Sequence, residues 1–111
     1  MAISTGDVAK KLLGIQTTEV VNTNKTLSVG NSYVVMDDLT LTIPDKGTAN
    51  LKNGDTIMLT KLYSKTPTLT CADNFHTING DNNSIAYDVN SPITLIYNLT
   101  TSMWEVVGGG E

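Results

Sequence analysis

Apolar and polar residues alternate with a period of two along most of this chain. The clearest stretches are Asp55 to Tyr63, Ile93 to Tyr97 and Met103 to Val107. In the first, Ile57 and Leu59 stand opposite Thr56, Met58, Thr60 and Leu62. This period puts alternate side chains on opposite faces of a strand. Asn98 to Ser102 is short, polar and turn-prone, so Ile93 to Val107 reads as a β-hairpin. It holds Trp104, the only Trp of the chain. A buried Trp offers one of the largest apolar surfaces of any residue, so this hairpin is expected to anchor the core.

Shorter runs repeat the signal at 17–21, 26–29, 32–36, 40–43, 68–71, 76–78 and 84–88. Turn residues separate them. Pro44-Asp45-Lys46-Gly47 ends one strand because proline cannot donate to a ladder. Asn79-Gly80 is the strongest tight-turn dipeptide. About eight short strands at roughly regular spacing predict an all-β fold, a β-sandwich or jelly-roll-like domain, over residues 21–107. No internal repeat stands out. Residues 108–111 form a Gly-rich, flexible tail.

Residues 4 to 14 are the one helical segment. Ser4 or Thr5 is placed to cap it, Asp7 lies in its first turn, and Gly14 follows it. Val8, Leu12, Leu13 and Ile15 form an apolar set on a segment too short to fold alone. It either packs on its own domain or anchors in another protein. The expected division is therefore an attachment segment at residues 1–20, with Val8, Leu12, Leu13 and Ile15 as partner-binding residues.

Composition fits the β reading. The chain has 111 residues, enough for one domain, with 17 Thr and 11 Asn among them. Thr favours strands, and Asn favours turns. Charged residues are 16%, Arg is absent, and the formal net charge is −4, which argues against nucleic acid as a partner. Cys71 is the only cysteine, so no disulfide forms within the chain. Its setting, T-L-T-C-A, suits a small apolar filler in a strand. The N-terminus has no signal-peptide pattern, and no apolar run approaches a membrane span.

Candidate chemistry is sparse. His76 is the only histidine; on adjacent strands it and Cys71 need not face each other. One His and one Cys fall short of a zinc ligand set. Asn79 to Asn83 lacks the spacing of a calcium loop and reads as a solvated turn. Asp37 and Asp38, as neighbours, point to opposite faces. Tyr33, Tyr63, Tyr87, Tyr97 and Trp104 sit in strand-like runs and read as core or interface rather than sugar-stacking residues. The expectation is no enzyme activity, no cofactor and no metal.

Four stretches together resemble a known group: L-T-L-T-I-P, L-K-N-G-D-T-I-M-L, H-T-I-N-G-D-N-N-S, and I-T-L-I-Y-N-L-T-T-S-M-W-E-V-V. Across roughly residues 39–107 they are similar to small β-sandwich domains of tailed-bacteriophage virion proteins, found in tail fibres, head fibres and capsid decoration proteins. The resemblance implies a homotrimeric structural protein of the virion, assembled in the host cytoplasm, with other virion proteins of capsid or tail as partners. A second expectation is a receptor-binding module of a tail fibre that recognises host-surface glycans. A small hydrolase or lyase using Asp residues and His76 is the remaining class.

Overall fold

The computed structural model describes residues 18–108. Nine strands occur there: β1 (Thr18–Val21), β2 (Lys25–Thr26), β3 (Ser32–Val35), β4 (Thr40–Thr42), β5 (Thr56–Lys61), β6 (Thr68–Thr77), β7 (Gly80–Ala86), β8 (Ile93–Asn98) and β9 (Met103–Gly108). The fold is all-β, as the alternation predicts. The helix expected at residues 4–14, and with it Val8, Leu12, Leu13 and Ile15, lies outside the described residues.

The strands belong to one nearly closed sheet. β1, β3 and β5 run parallel in one arm, and β2, β4 and β6 run parallel in another. Parallel neighbours require a crossover connection. Here each crossover is itself a strand of the opposite arm, so the chain winds between the two arms. The β8–β9 hairpin then joins them: β8 pairs antiparallel with β5, and β9 pairs with both β8 and β6. β7 lies antiparallel along β6. The sheet ends at β1 on one side and β2 on the other. Lys25 and Glu19 span that seam with an ion pair of 3.1 Å.

Inward positions stack in cross-strand rows. Tyr33, Leu59 and Ile93 form one, and Ile57, Leu95 and Val106 another. Tyr97, Trp104 and Phe75 form a third, with the Tyr97 and Trp104 rings edge-to-face at 5.1 Å between centroids. Trp104 is fully buried, in one cluster with Ile57, Leu59 and Leu95. Its Nε1–H donates to the Pro44 carbonyl at 2.8 Å. The proline that ends β4 thus supplies the acceptor that fixes the largest core residue.

Three expectations change. The segments 68–71 and 76–78, read as separate strands, are one strand, β6. The intervening Asp73 and Asn74 look like turn formers, but the Asp73 carboxylate accepts from the Lys46 amide and the Tyr97 hydroxyl, both at 2.9 Å. A register shift against β7 between Thr70 and Phe75 absorbs the extra residues. Asp81 to Asn83 likewise belong to β7 rather than to a loop. Finally, a repeat is present in space: Val20-Val21 lie beside Val34-Val35, and Thr26, Thr42 and Thr70 share one row.

Candidate functional site

Burial separates Cys71 from His76. The Cys71 side chain points into the core and donates to the Pro44 carbonyl at 3.4 Å. Burial pushes its thiol up to about 11, where the nucleophilic thiolate is scarce at neutral pH. His76 is exposed on the other side of the strand, with Nδ1 2.6 Å from Glu105 Oε1. That hydrogen bond, helped by the Glu105 and Asp81 charges, raises the His76 pKa above its ordinary value. The pair is two register neighbours on β6 and β9, which places both side chains on the outer surface.

The acidic residues are engaged locally. Asp37 accepts from the Asp38 amide and pairs with Lys65 at 3.4 Å; the amide bond above all lowers its pKa. Asp38 accepts from the Thr66 amide at 2.6 Å. The two carboxylates thus tie the β3–β4 turn to the loop after β5. Among the described residues, no group of three His, Cys, Asp or Glu side chains is placed to hold a metal ion.

Two open grooves indent the surface. One, of about 350 Å3, runs beside β7; Asn79, Asn82 and Asp88 line it above Ile85 and Val106. The other, of about 400 Å3, lies between Leu27 and Val29 on one side and Pro44 and Ala49 to Leu51 on the other. No aromatic ring lies exposed in either for a sugar to stack on: Tyr87, at the first, is buried, and its hydroxyl donates to the Ser91 and Leu59 carbonyls. Tyr63 is the exception to the expected burial of the aromatics. It is 75% exposed just beyond β5.

The least expected surface is the outer face of the arm running β1–β3–β5–β8–β9. Its side chains are the polar half of the alternation, yet they are scarcely polar. Val20, Val34 and Thr60 form one row, and Ser32, Met58, Thr94 and Val107 the next. The corresponding positions of the other arm are the Thr rows Thr26–Thr42–Thr70 and Thr40–Thr68. Sequence reading missed this face because it weighed each strand alone. The signal was there: Val20, Met58, Ile96 and Val107 occupy outward phases of the same alternation that predicts the core.

No known family model matches the chain, and no curated protein matches it in sequence.

Proposed function

We propose that the chain is a structural virion component of a tailed bacteriophage, a head fibre or capsid decoration protein, and works as a homotrimer. The two arms with the core between them act in this reading as the layers of a β-sandwich. The sequence resemblance over residues 39–107 motivates the virion assignment. One structural observation carries the assembly: five contiguous strands expose a nearly uncharged face to solvent, at an area where monomers normally place charge. Attachment to the particle runs through residues 1–20, with Val8, Leu12, Leu13 and Ile15 seated in a partner groove. β1 begins at Thr18, so the last three residues of that segment continue into the sheet.

The test is location. Antibody labelling of purified particles should place the chain on the capsid, and sedimentation of the purified protein should give three times its 11.9 kDa chain mass. Absence from the particles would overturn the virion reading. Deleting residues 2–16 should leave a folded trimer that no longer joins particles; loss of the fold would assign the segment to the core instead.

The groove beside β7 favours one alternative, a tail-fibre module that recognises host glycans. Asn79, Asn82 and Asp88 offer hydrogen-bond donors and acceptors over an apolar floor. Glycan-array binding that is abolished by Asn82→Ala would establish it over the scaffold reading.

A further inference from the structure

The outer face of the β1–β3–β5–β8–β9 arm has no partner within the chain. Three of its side chains, Val20, Met58 and Val107, are 57%, 42% and 48% exposed. Val34 and Ile96 lie among them, half-buried by their neighbours. The outward positions of these five strands hold one charged side chain, Glu105, and His76 already faces it at 2.6 Å. The remaining positions are chiefly Thr and Ser. The other arm has outward Thr rows and no large apolar side chain in them, a surface that water satisfies.

We propose that this face is the self-association surface, packed against the same face of further copies of this chain. The inference rests on the trimeric reading above and names the surface that makes it.

Two arguments select a copy over a foreign partner. The first is charge. Each copy carries a formal −4, so association through an acidic surface sets like charges against each other. This face is the broad apolar region where two copies meet without that repulsion, since its one carboxylate is compensated within its own chain. The second is chemistry. A hydroxyl both donates and accepts, so Thr rows complement other Thr rows, and branched methyl groups interdigitate with their own kind. An interface used identically by each copy requires such self-complementarity.

Area is sufficient. Five strands about 4.8 Å apart and roughly 15–20 Å long make a face on the order of 400 Å2 in projection. The corrugated surfaces of two such faces together approach the roughly 1,000 Å2 of a small specific interface. Three copies turned towards a common axis give each copy two such contacts.

The experiment compares sedimentation equilibrium of the full chain with that of Met58→Glu, Val107→Glu and, on the other arm, Thr42→Glu. All three variants add the same charge. The expected result is an oligomeric parent, an oligomeric Thr42→Glu, and association weakened more than tenfold in Met58→Glu and Val107→Glu with near-ultraviolet circular dichroism unchanged. Val20→Cys gives an independent reading that leaves the charge unaltered, because Cys71 is buried. Oxidation should link Val20→Cys chains and leave Thr42→Cys chains monomeric on a denaturing gel. An oligomeric parent whose association Met58→Glu and Val107→Glu leave intact, or one that Thr42→Glu disrupts equally, overturns this face while the trimer stands. A parent that is monomeric at about 100 µM overturns both the face and the trimer, and leaves the virion location to its own test.

Discussion

Trp104 concentrates more of the fold's stability than any other side chain. It is fully buried, stacked edge-on against Tyr97 and tied by its indole N–H to Pro44. Trp104→Ala removes the ring and leaves a cavity, so it should cost about 3–5 kcal/mol in denaturant unfolding. Trp104→Phe keeps much of the volume and loses the N–H donor, so a smaller loss is expected. The burial of Trp104 was legible in the sequence from its strand phase. The bond to Pro44 was not, because nothing local to either residue brings positions 60 apart together. His76 offers a cleaner measurement. As the only histidine, it reports its own titration in a proton NMR spectrum. The Glu105 hydrogen bond raises its folded-state pKa, so the pair contributes stability that is fully present below about 6.5 and is lost as pH rises through the folded value. Glu105→Gln should bring the titration midpoint down; an unchanged midpoint would mean that the pair does not form in solution.

At the scale of the element, β6 shows where single-strand reading stops. Its first half, Thr68 to Thr70, pairs with β4, and its second, Asn74 to His76, pairs with β9. The composition of Ala72-Asp73-Asn74 indicates a turn, yet Asp73 spends its carboxylate on a loop and a tyrosine from elsewhere in the chain. Tertiary hydrogen bonds thus override local propensity. The long strands β5, β8 and β9 were legible because their cores are regular and their phases unbroken. The outward face they share was hidden, since it emerges only when five strands are set in register. At the end of β9, Gly108 adopts a positive φ of 87°, and a Cβ there would sit 3.0 Å from the Pro92 carbonyl oxygen. Gly108→Ala therefore meets both backbone strain and a backbone clash. It should destabilise the β8–β9 hairpin by about 1–3 kcal/mol, seen as a lower unfolding midpoint and faster amide exchange in Ile93 and Thr94.

Across the whole molecule, the winding explains why no repeat was visible in the sequence. T-E-V-V at β1 and S-Y-V-V at β3 occupy equivalent places, but the first winding turns Glu19 and Lys25 inward where the second has Tyr33 and Leu41. The end of a stacked array needs a polar terminal unit, and this ion pair supplies one at the cost of the sequence match. An exposed pair of this kind adds little stability, roughly 0–1 kcal/mol, so Lys25→Ala should change the melting temperature only slightly. The β8–β9 hairpin has a further consequence, for the order of events during synthesis. Chains emerge from the ribosome with their N-terminal residues first. Both arms can be fully translated while nothing yet joins them on the far side, since β9 alone pairs with β8 and with β6. The half-made protein is thus an open clasp with two long apolar inner surfaces, and it shuts only when Met103–Gly108 leaves the exit tunnel. A chain stopped after residue 98 should lack a cooperative thermal transition and be cleaved rapidly by protease. Adding the last strand back as a peptide should restore protection, as a missing pin restores a hinge.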